Sequence, residues 1–281
     1  GSDHLSVDLV HLQEEFAGRF EIISELSRSK QSSIYLVQDL ILDRKIALKT
    51  LTYPDKLTAK AISNWEQNLK RCLRVNDPNI AQIYSFGTSG TLLYVFVELI
   101  TESTLQDLLT EDQPLPLWKC LRIGRDIARA LHTAHNLGIC HHRLTPANIV
   151  VSRDGHSRLL DLGSAHGTID ALMQKPWSAD TASPMFFAPE QIETGISEPL
   201  SDQYRLGSIL YRLLAHQPTF DETGEYGAFA RLQKDPQAIS GHNGGIPEEL
   251  DKIVRKTIAI NPLERFDDCH KLELALESLD P

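Results

Sequence analysis

The sequence predicts an α+β, bilobal protein with a small β-rich N-terminal lobe carrying one helix and a larger α-helical C-terminal lobe. Three observations carry this. Between residues 19 and 100, short runs alternate apolar with other residues, the period of a half-buried strand. Beyond Ile100 the apolar spacing becomes that of an amphipathic helix. At 281 residues, 41% of them hydrophobic, the chain suits one large domain or two lobes sharing a cleft.

In chain order, residues 1–18 read as an N-terminal extension that opens on Gly1-Ser2, a cloning remnant. Phe20-Glu21-Ile22-Ile23 and Ser33-Ile34-Tyr35-Leu36-Val37 are strand-like. In Lys45-Ile46-Ala47-Leu48-Lys49-Thr50-Leu51, Ile46 and Leu48 alternate with other residues and Leu51 closes the run. Leu57, Ala61, Trp65, Leu69 and Cys72 recur at helical spacing, and Asp77-Pro78-Asn79 ends that helix. Strands are expected around 80–86 and 91–98, and a connector follows, so the lobes run over 19–100 and 101–281. In the second lobe the apolar pattern predicts helices over 117–137, 202–215, 250–258 and 270–279. No internal repeat is present.

The formal charge of −10 argues against nucleic acid as a partner, since phosphate binding needs a basic surface. The apolar run 92–97 is too short to span a bilayer, and no signal peptide is visible. The four cysteines, Cys72, Cys120, Cys140 and Cys269, form no C-x-x-C pair and read as reduced thiols. These features suit a cytoplasmic protein, with any membrane anchor lying outside this chain.

Three segments carry chemistry in a fixed order. Cys140-His141-His142-Arg143-Leu144-Thr145-Pro146-Ala147-Asn148 is followed, thirteen residues after Asn148, by Asp161 in Leu160-Asp161-Leu162-Gly163, and then by Ala188-Pro189-Glu190. They resemble the catalytic loop, metal-binding motif and activation-segment anchor of eukaryotic-like serine/threonine protein kinases of bacterial type. The resemblance runs over about 19–280, nearly the whole chain.

The resemblance implies a role for each matching residue. Lys49, in Ala47-Leu48-Lys49, stands where the family's lysine contacts the α- and β-phosphates. Ile34, Ala47 and Val150 stand at the apolar positions that sandwich adenine, and Val97 guards the back of that pocket. Glu98-Leu99-Ile100 forms the connector whose backbone meets the adenine edge. Asp161 and Asn148 stand at the two Mg²⁺ ligands. Glu190 is implied to pair with Arg265, and Asp202 to cap the backbone of the catalytic loop. Leu162, His141, Cys72 and Ile83 match the family's internal stack.

The departures bear on activity. The family loop reads H-R-D-x-x-x-x-N, and five residues before Asn148 stands Arg143. A guanidinium stays protonated and has no acceptor, so it cannot take or orient the proton of a substrate hydroxyl. The helper lysine, two positions on, is Thr145. His141 and His142 are the remaining candidates for a base, with His141 packing under the metal loop as the alternative. Serine replaces each glycine of the phosphate-covering loop in Ser27-Arg28-Ser29-Lys30-Gln31-Ser32. There Arg28 and Lys30 either attract phosphate or solvate the loop. Asn68 takes the place of the glutamate that pairs with the lysine, while Glu66 lies roughly 200° round the helix. In the activation segment, Thr168, Ser178, Thr181 and Ser183 are the hydroxyls, and the arginine that would read a phosphate there is replaced by His142.

The functional expectation is therefore a pseudokinase signalling or scaffolding domain without phosphoryl transfer. ATP with Mg²⁺ is the implied ligand unless the glycine-free loop prevents binding. Its partner would be a protein: a true kinase, a substrate or an adjacent domain of the same chain. The alternative is a serine/threonine kinase of low activity, or a kinase-fold transferase of another group.

Overall fold

The computed structural model describes residues 7–53, 56–111, 113–165, 167–179, 183–220 and 224–279, so Gly1-Ser2 and Thr181 lie outside the described residues. The chain divides into two compact units, one of residues 1–74 and 81–101, the other of 75–80 and 102–281.

The first unit is built on an antiparallel sheet of β1 (Phe20–Arg28), β2 (Ser32–Asp39), β3 (Arg44–Leu51), β4 (Ile83–Ser89) and β5 (Leu92–Val97), in the order β1-β2-β3-β5-β4. Asp39 sets the β2–β3 hairpin: its Oδ1 accepts the backbone N–H groups of Ile41 and Leu42 at 3.0 Å. One sheet face carries Tyr35, Val37, Ile46, Leu48 and Phe96. These pack with Leu9 and Leu12 of a short helix, α1 (Val7–Glu15), and with Phe16 and Phe20. Phe20 stacks on Phe96 at 4.3 Å, and Phe16 meets Phe96 and Tyr94 edge-on at 5.1 Å. α1 lies in the segment expected as an N-terminal extension, where the apolar pattern is too short to predict a helix. The second helix, α2 (Ala59–Cys72), is capped by Thr58, whose side chain accepts from Ala61 N at 3.1 Å. It buries Ala61, Trp65, Asn68, Leu69 and Cys72 along one stripe.

The strand expected from Ile80 begins instead at Ile83. The reason is local: 75–80 belongs to the second unit, where Ile80 bridges to Leu159 and Asn79 Nδ2 donates to Ser157 O at 2.9 Å.

The second unit is mainly helical: α3 (Leu105–Thr110), α4 (Leu117–Asn136), α5 (Thr168–Leu172), α6 (Pro189–Thr194), α7 (Pro199–Ala215), α8 (Gly224–Gln233), α9 (Glu248–Thr257) and α10 (Cys269–Glu277), with a small hairpin of β6 (Ile149–Val151) and β7 (Ser157–Leu159). At its centre α7 is buried from Ser201 to Tyr211 on every side, as a core helix must be. Close approach needs glycine here. A Cβ on Gly207 would collide with Thr257 and Ile258, and one on Gly124 would press Leu276 and Leu210 at 3.0 and 3.1 Å. Among the described residues, no helix is long and apolar enough to cross a membrane. None of the four cysteines is in a disulfide; burial pushes the thiols of Cys72 and Cys120 up to about 12, which keeps them unreactive.

Candidate functional site

The residues singled out by the sequence fall into two constellations, one in each unit. In the first, the register pairs Ile34 with Lys49, Ala47 with Leu36 and Val97, and Lys49 with Val95. Paired residues and residues two apart share a face. Ile34, Ala47, Lys49 and Val97 therefore lie together, on the face opposite α1. Phe86 pairs with Val95 and meets Trp65 edge-on at 5.7 Å, which places α2 on the face that carries Lys49. Lys49 is 5% exposed, and Asn68 is buried, its Nδ2 without a hydrogen-bond partner among the described residues. Glu98 follows β5; its N–H donates to Gln82 O at 2.9 Å, and its carboxylate accepts from Gln82 N at 3.1 Å. Ile100 is half-buried.

The serine loop is a tight turn. Ser29 N donates to Ser32 O at 2.8 Å, Ser32 N donates to Ser29 Oγ at 3.1 Å, and the two hydroxyls lie 3.0 Å apart. These bonds occupy the N–H groups of Ser29 and Ser32, two of those that a glycine loop offers to phosphate. Arg28 is paired with Glu25, its Nε and NH2 at 3.0 and 2.7 Å from the carboxylate.

In the second unit, the catalytic-loop segment hangs on Asp202. Its Oδ2 accepts from His141 N at 2.8 Å and its Oδ1 from His142 N at 2.9 Å. His135 Nε2 lies 2.8 Å from Oδ2. Burial alone would push the Asp202 carboxyl up; the His135 hydrogen bond and the surrounding histidines reverse this and hold it well below the usual carboxylate range. His141 is fully buried with both nitrogens committed: Nδ1 accepts from Arg143 N at 3.2 Å, so Nε2 is the protonated nitrogen and donates to Leu160 O at 2.8 Å. His142 has φ +70° and places Nδ1 2.7 Å from Ser197 Oγ. Burial pushes its pKa down to about 4, so it is neutral near pH 7.

Arg143 is anchored to the activation segment. Its Nε donates to Gly167 O at 3.3 Å, and its guanidinium lies 4.7 Å from the ring centroid of Phe187. A second guanidinium, that of Arg205, lies 4.5 Å from the same ring centroid. Arg205 is 1% exposed, donates Nε to Leu144 O at 2.8 Å and NH1 to Gln191 Oε1 at 3.2 Å. Burial, and then the charge of Arg143, push its pKa down to about 9. Gln191 closes the network by donating Nε2 to His142 O and Ser197 Oγ, both at 3.0 Å. Sequence reasoning missed Arg205, Phe187, Gln191 and Ser197. Only Arg205 left a signal: a charge inside the apolar run of α7.

Asn148 and Asp161 lie side by side, with Nδ2 of Asn148 donating to Oδ2 of Asp161 at 3.2 Å. Asn148 Oδ1 accepts from Thr145 N at 3.1 Å and Thr145 Oγ1 at 3.0 Å. Asp161 has φ +61°, and its carbonyl accepts from Ser164 N and Ala165 N at 3.0 Å. The Asp161 carboxylate is a fitting hard donor for Mg²⁺. The Asn148 oxygen, already accepting two hydrogen bonds and turned away from Asp161, does not complete the two-ligand set that the resemblance implies.

Glu190 and Arg265 form a bidentate pair at 2.7 and 3.0 Å, with Ser201 Oγ also donating to Glu190 at 2.9 Å. Val150 is 3% exposed on β6. Cys72 and Ile83 are buried in the first unit, His141 and Leu162 in the second. Of the activation-segment hydroxyls, Thr168 is buried in α5, whereas Ser178 and Ser183 are exposed.

Residues 20–273 match the protein kinase domain family. Curated relatives include the serine/threonine-protein kinases PrkC of Bacillus subtilis, 26% identical over 94% of this chain and 41% of the relative, and PknB of Mycobacterium leprae, 27% identical over 92% and 42%. PknL of Mycobacterium tuberculosis is 27% identical over 93% of this chain and 65% of the relative. The chain thus spans less than two thirds of the length of these relatives. The crystal structure of the Mycobacterium tuberculosis PknI kinase domain superposes with a TM-score of 0.75 at 22% identity, covering 93% of this chain and 96% of that one. The fold is that of a protein kinase.

Proposed function

This chain belongs to the protein kinase domain family, and we propose that it acts there as a pseudokinase: a nucleotide-binding signalling or scaffolding domain that does not transfer phosphoryl groups. One observation carries the reading. The position of the acid–base carboxylate holds Arg143, a permanent cation tied to Gly167 and Phe187. Of the two loop histidines, His141 offers no replacement, because both of its nitrogens are engaged. The self-bonded serine turn supports the same reading, since two of its N–H groups, those of Ser29 and Ser32, are already engaged within the turn.

The proposed nucleotide contacts are Lys49, Ile34, Ala47, Val97, Glu98 and Ile100 of the first unit and Val150 of the second. Ile34, Ala47 and Val97 supply the apolar slot a planar base requires, and Lys49 on the same sheet face supplies the cation. The proposed partner is a protein, either a true kinase, a substrate or a neighbouring domain, chosen according to nucleotide occupancy. A cytoplasmic location, with any anchor outside this chain, goes with that role. Calorimetric titration of ATP into wild type and Lys49→Met tests the nucleotide half. Binding that is lost in the variant supports it; heat that is absent in both, or unchanged by the variant, refutes it.

A second reading is a serine/threonine kinase of low activity, or a transferase of another group on this fold. It is favoured by the retained Asp161 and Asn148 and by the names of the relatives. Turnover that requires Asp161 distinguishes it.

A further inference from the structure

We propose that the Asn148–Asp161 pair is closed to divalent cations by its own hydrogen bonds, and that the domain takes its nucleotide without Mg²⁺; the nucleotide half rests on the reading above.

The partners of the Asn148 amide fix which of its atoms points where. Thr145 N lies 3.1 Å from one amide atom. A backbone N–H can only donate, so that atom is the oxygen. Thr145 Oγ1, at 3.0 Å, donates to the same oxygen and fills its second lone pair. The amide nitrogen therefore faces Asp161, 3.2 Å from Oδ2. A metal ligand would present its oxygen beside the carboxylate, so that both oxygens converge on the cation. Here the N–H edge of the amide occupies that relationship, and a partial positive charge meets the carboxylate directly.

Turning the amide over would set its NH₂ against the N–H of Thr145. It would forfeit two hydrogen bonds, those from Thr145 N and to Asp161, each worth about 1 kcal/mol net, while the Thr145 hydroxyl could reverse its role. The surroundings oppose the turn as well. Asn148 is 8% exposed and closes a one-turn 3₁₀ helix begun by Pro146, whose ring fixes the backbone after Thr145. Asp161 is equally constrained. Its left-handed backbone is pinned through its carbonyl by Ser164 and Ala165, which fixes how its side chain leaves the chain. The device depends on Thr145: a hydroxyl one bond from Cβ reaches the Asn148 oxygen, which a long ammonium side chain would bypass. Arg143 adds a permanent positive charge to the same loop.

The test uses Mn²⁺, followed by water-proton relaxation, on wild type, Asp161→Asn and Asn148→Asp, together with ATP titrations in EDTA and in Mg²⁺. Asn148→Asp replaces the donor by a second carboxylate, and two facing carboxylates are relieved by a divalent cation or by a shared proton, so the titration is run above pH 7. The expected result is no Mn²⁺ binding at millimolar concentration in wild type or Asp161→Asn, and binding gained in Asn148→Asp. ATP affinity in EDTA should stay within about threefold of that in Mg²⁺. Mn²⁺ binding in wild type that Asp161→Asn abolishes would overturn the closed pair. An ATP affinity that drops about tenfold or more in EDTA would overturn metal-free uptake while leaving the nucleotide-binding reading intact. Absence of ATP binding in both buffers would overturn the nucleotide half together with that reading, and the Mn²⁺ result would still decide the pair. Should Asn148→Asp fail to fold, wild type and Asp161→Asn alone decide it.

Discussion

The Arg143 guanidinium sits at the Gly167 carbonyl, with Nε donating at 3.3 Å, so close that a Cβ on Gly167 would come within 2.7 Å of that nitrogen. Gly167 also has φ +85°, a conformation only glycine adopts without strain. Gly167→Ala should therefore cost about 1–2 kcal/mol from backbone strain alone, plus the displacement of Arg143. In a double-mutant cycle Arg143→Ala should recover part of the loss. Strict additivity in urea unfolding would show that the two residues are not coupled.

Restoring the carboxylate should not restore the enzyme. Arg143→Asp supplies a proton acceptor, but the serine turn and the Thr145–Asn148–Asp161 chain remain. Phosphoryl transfer from γ-labelled ATP should stay at background in this variant, whereas a base alone is worth about 10²–10⁴ in an otherwise competent site. A rise of that size would mean that Arg143 was the only defect.

The Glu190–Arg265 pair anchors the second unit. Arg265 is 2% exposed and also donates Nε to Ala259 O at 2.9 Å and NH1 to Leu200 O at 2.8 Å. Arg265→Met strands a largely buried carboxylate and should destabilise by about 3–5 kcal/mol. Adding Glu190→Gln should return part of it. Thermal unfolding of the single and double variants measures both effects.

Histidine burial gives stability a pH dependence. Burial pushes the folded pKa of His142 down to about 4 from its ordinary 6.5, and lowers that of His141 too. Above pH 6.5 these groups are neutral folded or unfolded, and their full contribution is present. As pH falls from about 6.5 towards 4, the unfolded chain binds protons that the folded chain refuses, and stability is lost. The loss is roughly 1–2 kcal/mol per pH unit for each such proton. His142→Asn, a residue that tolerates φ +70°, should flatten the denaturant midpoint between pH 7 and 5. An unchanged slope would show that His142 does not titrate in that window.

Much of the fold was legible because its signals are local. Alternation at Ile46 and Leu48 marked β3, and the stripe of Ala61, Trp65, Leu69 and Cys72 marked α2. The helix at Leu9 and Leu12 was missed because its apolar stripe is short and meaningful only against Phe16, Phe20 and Phe96. Ile80 misled because an apolar β-branched residue reads the same whether it pairs within the first sheet or with Leu159. At the site, fixed spacing identified the loop residues, but spacing carries no information on side-chain direction. That Thr145 turns the Asn148 amide, or that Arg143 and Arg205 both meet Phe187, depends on segments brought together only by folding.

The most direct test is phosphoryl transfer at saturating ATP, with Mg²⁺ or Mn²⁺, measured side by side for wild type and Asp161→Asn on autophosphorylation and a generic serine/threonine substrate. The pseudokinase account predicts equal, background incorporation in both. Incorporation by wild type that Asp161→Asn abolishes would contradict it and establish a working kinase.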